Sequence, residues 1–392
     1  PARLPEGKMF VTQWLHCDCL ADYYNVGVFS ERHWEIIENF VRTAVANGIN
    51  TLLTPVFTPP LDTAVGGERP TVQLVGVRVD GGEYSFDYSR FDRWLDMCGR
   101  VGIKYFEISH LFTQWGAAHA PKIVAKVDGV EKRIFGWDTD ATGPAYTRFL
   151  RTFIPDFLAH MKSRGLDRRC IFHISDEPRL EHLEQYAKSR AVVADLLDGY
   201  IVADALSNFE FWKHGLVSTP IPSNNHIEPF LEAKVPGLWT YYCCSQGVDV
   251  SNRFFAMPGA RTRAIGMQFY KYDIAGFLQW GYNFYFNQFS YDRVNPYLDS
   301  TAGYFVPSGD AYSVYPSHDG RALESMRIVQ FYEALQDRRA MELCGQYYGK
   351  ERVVAEMEAI VGEIKFSKCP RRSEELLGVR EKVNELIAAA VK

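Results

Sequence analysis

Two adjacent carboxylates, Asp176 and Glu177, end an apolar, β-branched run in the stretch IFHISDEPRLEHLEQY (Ile171–Tyr186). Like charges side by side are unfavourable unless something uses them. One carboxyl group that gives and takes a proton, beside another that stabilises developing positive charge, would be such a use. The plain alternative is a solvated strand end. Ordinary retaining glycosidases set two carboxylates about 5–5.5 Å apart across the scissile bond, and inverting ones roughly 6.5–9.5 Å apart. Consecutive residues have Cα atoms only about 3.8 Å apart, so this pair cannot easily flank a sugar ring. It suits a reaction in which the substrate brings its own nucleophile. A 2-acetamido carbonyl oxygen attacks the anomeric carbon and forms an oxazolinium ion. One carboxylate holds the acetamide N–H, and its neighbour protonates the leaving oxygen. Substrate-assisted families are exceptions to the two-carboxylate rule.

The elements that must position such a pair are short apolar strands alternating with amphipathic helices, the pattern of parallel βαβ units. Strands are expected in Met9–Leu15, NTLLTPVF, KYFEISHLF, CIFHISDEP, YIVADALS, GLVSTPIPS, GLWTYYCCS and AGFLQWGYNFYFN. The helix after the first strand has Ser30 as N-cap and Asn47-Gly48 as its stop. Pro155 should bend or break the helix that starts near Pro144. Eight strands with intervening helices predict an α/β fold, a (β/α)8 TIM barrel, where an open doubly wound sheet would more often have five or six strands. Two β-hairpin insertions, turning at Asp80-Gly81-Gly82 and Asp128-Gly129, fall in βα loops. Residues 288–318 read as an ordered loop. The barrel is assigned to 1–320, and 321–392 to its last helix and a C-terminal helical extension packed on it.

In a barrel the residues at the carboxyl ends of the strands converge on one mouth. Here they are His16 and Asp18, His110, Asp176 and Glu177, Asp204, then Asn224, Asn225 and His226, Tyr241 and Tyr242, and finally Trp280, Tyr282 and Asn283. Phosphate recognition would call for Lys or Arg and a Gly-rich turn. This polar and aromatic set suits a sugar. Each histidine alone is as readily a hydrogen-bonded shell residue, and Asp204 could pair with a neighbouring cation. Tyr241 and Tyr242 alternate in facing, so one of them points inward.

Composition bounds the rest. The aromatic share is 14%, with 22 Tyr, 26 Phe and 8 Trp, which serves a sugar cleft or a large core equally well. A net charge of −5 without a basic block argues against a nucleic-acid partner. No apolar run approaches the roughly 20 residues that span a bilayer, so no membrane insertion is expected. Eight cysteines in a chain this long need not be staples. The His16, Cys17, Cys19 group has C-x-C spacing instead of C-x2-C and reads as free thiols, which leans towards a reducing, cytoplasmic compartment. No cofactor and no metal are expected.

At ISDEP the chain resembles glycoside hydrolase family 123, the β-N-acetylgalactosaminidases. The likeness extends through TQWLHCDCLADYYNV and FLQWGYNFYFNQFS, from about Gln13 to the helices after His318. The resemblance implies a (β/α)8 barrel and retaining, substrate-assisted removal of terminal β-linked N-acetylgalactosamine from a glycan or glycoconjugate. Asp176 would orient and polarise the acetamide, while Glu177 would be general acid and then base, its pKa raised by an ionised Asp176. Tyr241 or Tyr242 would donate to the acetamide carbonyl, and Trp280 would stack on the ring or wall the acetamide methyl. His110, Asn224 and Asn283 would bind hydroxyls, with His16 and Tyr282 completing the substrate-binding set. Family members usually carry an amino-terminal β-sandwich, and this chain starts at the barrel, as a fragment or a single-domain relative would. A β-N-acetylhexosaminidase of different sugar specificity, a non-catalytic carbohydrate-binding barrel, and a metal-dependent barrel enzyme using His16, His110 and Asp204 are the alternatives.

Overall fold

The computed structural model describes residues 2–391. Eight parallel strands run in chain order: β1 (Phe10–Gln13), β2 (Thr51–Thr54), β3 (Tyr105–Ile108), β4 (Cys170–Phe172), β5 (Ile201–Ala205), β6 (Thr219–Ile221), β7 (Trp239–Tyr241) and β8 (Gly276–Gln279). Each pairs with the next, and β8 returns to pair with β1. Between β6 and β7 the Asn224 N–H donates to the Tyr241 carbonyl at 2.9 Å, and the Tyr241 N–H donates to the Pro222 carbonyl at 3.1 Å. These bonds close the ring into the expected (β/α)8 barrel. The strands are short because burial on both faces, rather than strand length, stabilises a parallel sheet.

Two apolar layers hold the strands. Inside the barrel, Leu53, Ile171, Ala203, Ile221, Trp239 and Leu278 form one cluster. The floor is filled by Trp239, and a Cβ added at Gly276 would lie 2.1 Å from its indole ring. Outside, helix faces pack on the strands. In the helix Pro144–Ser163, Phe149, Phe153 and Phe157 are buried at four-residue spacing. That helix is continuous through Pro155, so the expected break does not occur. Pro155 sits on the exposed side, where water can satisfy the carbonyl that loses its partner.

The two hairpins are Gly76–Asp80 with Glu83–Asp87 and Ile123–Val127 with Val130–Phe135. They join into one four-stranded sheet through parallel pairing of Arg78 with Lys126 and Val79 with Val127. After β8 the chain makes a long loop and a small antiparallel pair, Val314–Pro316 with Ala322–Glu324. Helix Met326–Tyr348 then packs against Gly259–Arg263 and Ile265–Lys271, and helices Lys350–Val361 and Ser373–Ala390 pack on it. Among the described residues, no helix is long and apolar enough to cross a membrane.

Candidate active site

A cavity of about 190 Å³ opens at the carboxyl ends of the strands, lined by Trp14, Asp62, Gln114, Trp115, Asp176, Glu177, Tyr241, Cys243, Cys244, Leu278, Trp280 and Phe305, among others. It lies in the strand-end mouth where barrel chemistry is housed. Larger hollows elsewhere, such as that between the barrel floor and helix Met326–Tyr348, lack this concentration of carboxylates and indoles.

Strand β4 ends at Phe172, and the chain then passes across the mouth. The Trp115 N–H donates to the Asp176 carbonyl at 2.9 Å, and the Glu177 N–H donates to the Ala205 carbonyl at 2.9 Å. Glu177 is held at φ 44°, a left-handed conformation that costs a residue with a Cβ about 1–2 kcal/mol. Strain of this kind persists where the surroundings over-determine the backbone, and it clusters at functional sites. The Tyr241 hydroxyl donates to Glu177 Oε1 at 2.6 Å. Burial, followed by the charges of Glu177 and Asp62, holds the Asp176 carboxyl well above the ordinary carboxylate range.

Asp62 is a third carboxylate that sequence inspection missed. It follows Thr54, the last residue of β2, by eight positions, in a Pro-rich loop with no signal beyond its charge. Its N–H donates to Gln114 Oε1 at 2.7 Å, and its carbonyl accepts from Ser290 Oγ at 2.8 Å. Buried Arg69 anchors the same loop. It donates to both oxygens of Asp18 at 2.7 and 2.8 Å and reaches the Leu61 carbonyl at 3.3 Å. Burial pushes the Asp62 carboxyl up to about 6. Across the cavity, Trp280 donates its indole N–H to Asp310 Oδ2 at 3.0 Å and packs against Phe284 and Phe305. Trp115, 38% exposed, stands edge-on to Phe289 at the rim.

Of the ten residues expected to be catalytic or substrate-binding, Asp176, Glu177, Tyr241 and Trp280 line the cavity, and the other six do not. Tyr242 faces outward, as strand alternation requires, and packs on Phe277. Tyr282 is buried with its hydroxyl on the Phe40 carbonyl at 2.8 Å. Asn283 clamps the His16 backbone, accepting from its N–H at 2.8 Å and donating to its carbonyl at 3.1 Å. His16 itself bridges the Trp280 carbonyl and Arg69, and burial lowers its pKa to about 3. Asn224 donates to the Ser251 carbonyl at 2.8 Å. His110 is buried beneath the mouth, stacked on His173 with ring centroids 4.5 Å apart.

Below the mouth lies a charged cluster inside the barrel. His173 Nε2 is 2.8 Å from Glu107 Oε1, and its Nδ1 is 3.4 Å from Asp204 Oδ1. Burial alone would lower the His173 pKa, but the two carboxylates override it and raise it to about 10. Glu107 also accepts from the Trp14 indole at 2.7 Å and from Thr12 at 2.5 Å. Asp204 accepts from the Ile174 N–H at 2.9 Å and from the Tyr186 hydroxyl. His110, His173 and Asp204 place potential ligand atoms within 4.8 Å of one another. A His173 raised in this way between two carboxylates can itself supply the positive charge there. His16 lies apart from this group, against Trp280 and Arg69.

The family model described as "Glycoside hydrolase 123, catalytic domain" matches residues 14–344. Among solved structures, a family 123 glycoside hydrolase from Clostridium perfringens, described in connection with glycolipid glycan hydrolysis, superposes with a TM-score of 0.72 at 14% identity, covering 99% of this chain and 71% of its own. A family 5 mannosidase from Rhizomucor miehei aligns with a TM-score of 0.42 at 10% identity, over 85% of this chain and 94% of its own. No curated protein matches the chain in sequence.

Proposed function

The chain belongs to glycoside hydrolase family 123, and from that premise we propose that it removes terminal β-linked N-acetylgalactosamine by retaining, substrate-assisted catalysis. The observation that carries this reading is the Asp176–Glu177 pair itself, two consecutive carboxylates in the wall of one small cavity. A cavity of about 190 Å³ lies below the ~300–1,000 Å³ of drug-sized ligand sites. That size suits a single terminal sugar ring and an exo-acting enzyme. Among the described residues no Lys or Arg lines the cavity, and three carboxylates do, so the site favours a neutral sugar over an anionic one.

Asp176 takes the acetamide N–H and stabilises the oxazolinium, and Glu177 gives its proton to the glycosidic oxygen. Burial and the charges of Glu177 and Asp62 raise the Asp176 carboxyl in the free site, and an acetamide N–H donated to Asp176 favours its ionised form. Tyr241, on Glu177 Oε1, orients the acid and is a positioning residue in the free site. Trp280, fixed by Asp310, supplies a face for the pyranose. The Clostridium relative is described as acting on glycolipid glycans; a glycoconjugate with a terminal β-N-acetylgalactosamine is the substrate class proposed for this chain.

The test is nitrophenol release from the β-N-acetylgalactosaminide and β-N-acetylglucosaminide by wild type, Asp176→Asn and Glu177→Gln. Turnover of the first sugar is expected, with Asp176→Asn reducing kcat by about 10²–10⁴-fold. Glu177→Gln should lose less on nitrophenyl substrates, whose leaving group needs little protonation, than on an unactivated disaccharide. Undiminished activity in both variants would refute the assignment, and preference for the glucosaminide would change the sugar.

A further inference from the structure

Cys243 and Cys244 are consecutive, yet both line the catalytic cavity. Neighbours on a strand would face opposite ways. Here β7 has already ended at Tyr241, and the chain turns. The turn is held on both sides of Cys243. Its N–H donates to Gln246 Oε1 at 2.8 Å, and its carbonyl accepts from Asn252 Nδ2 at 2.9 Å and from the Gln246 N–H at 3.3 Å. The two sulfurs stand 3.9 Å apart. Of the eight cysteines, Cys244 alone is not buried.

That separation has a chemical meaning. A tetrahedral ion with metal–sulfur bonds of about 2.3 Å spans about 3.8 Å between two sulfur ligands. The pair therefore presents the bite of a bidentate thiolate chelate without rearrangement. Thiolates select soft ions such as zinc and copper(I). Water would complete the coordination shell.

We propose that Cys243 and Cys244 form a bidentate site for one soft, thiophilic cation of the zinc class, seated so that its occupant closes the cavity to sugar. Two protons leave as the thiols bind, with no change in oxidation state. The closure rests on the proposed function; the binding does not.

The experiment uses the full chain, reduced and freed of reductant, as wild type, Cys243→Ala and Cys244→Ala, with near-ultraviolet circular dichroism to confirm that each is folded. Zinc chloride alone is titrated against a chromophoric chelator. One ion per chain is expected, with affinity falling at least 100-fold in either variant. Phenylarsine oxide is the second probe. It condenses with two thiols, forming two As–S bonds and releasing one water. Mass spectrometry should show one adduct on wild type, removed by a dithiol but not by a monothiol, and absent from both variants. Equal zinc affinity in all three proteins, or an equal adduct on Cys244→Ala, overturns the site. Glycoside turnover should fall at least tenfold with zinc bound, and unchanged turnover with the ion bound overturns the closure. Absence of turnover before zinc is added counts against the glycosidase reading alone, because the titration and the mass shift do not depend on it.

Discussion

Two sets of carboxylates occupy one barrel, and the fold treats them in opposite ways. Inside, Glu107 and Asp204 flank protonated His173 and accept from Thr12, Trp14, Tyr186 and a backbone amide. At the mouth, Asp62, Asp176 and Glu177 share one cavity with no cation in its wall. Among the described residues, the Tyr241 hydroxyl on Glu177 is the one hydrogen bond their side chains receive. A buried carboxylate out of reach of water must find partners within the protein. One that faces a cavity can be left for a ligand to satisfy. The difference separates charges that support the structure from charges held ready for chemistry.

The largest stability effect should come from the interior set. His173→Ala leaves Glu107 and Asp204 buried without their cation, and breaking such a group costs about 3–5 kcal/mol. Urea denaturation of the variant measures it. If stability were unchanged, the cluster would not be the compensated element described here. The pH dependence should also differ between the sets. His173 is raised in the folded state to about 10, so its contribution is complete below its unfolded pKa and is lost only as pH rises through about 10. Asp62 is likewise raised, to about 6, so its stabilising contribution is present below about 4 and lost as pH climbs through 6. The wild type should lose roughly 1–3 kcal/mol over that interval from this group, and Asp62→Asn should flatten the slope. The same variant removes a negative charge that raises Asp176, so the pH profile of activity should move to lower pH. The smallest effect belongs to a surface pair that resembles neither set. Lys188 and Glu184 are 2.7 Å apart on one helix, with side chains 59% and 83% exposed. Lys188→Ala should change stability by less than about 0.5 kcal/mol, which calibrates the other two measurements.

How much of this is legible in the residue order depends on the range of the interaction. The eight strands can be read because each is a short buried run followed by a helical period. The Ser30 N-cap can be read too, and its hydroxyl does accept from the His33 N–H. The Asp176–Glu177 pair is legible because two adjacent carboxylates after an apolar run conflict locally with burial. Tyr241 and Trp280 follow from their places at strand ends. The other six residues expected to bind substrate look equivalent in sequence, but a shift of one position turns a side chain from the cavity into the shell behind it. Asp62 and Trp115 come from loops whose path is set by distant partners, among them Arg69 on Asp18 and Ser290 on the Asp62 carbonyl. The pairing of the two hairpins through Arg78 and Lys126 is likewise a contact between separate insertions.

The sequence by itself determined the barrel, its period and the adjacent carboxylates proposed as catalytic, since each rests on neighbours within a strand or a helical turn. The tertiary structure alone decided which polar residues face the cavity, that the Asp176 carboxyl is raised and that two consecutive cysteines share one wall. Those outcomes depend on burial and on charges brought together across the ring of strands. Both are sums over residues far apart in the chain, and no local pattern encodes them.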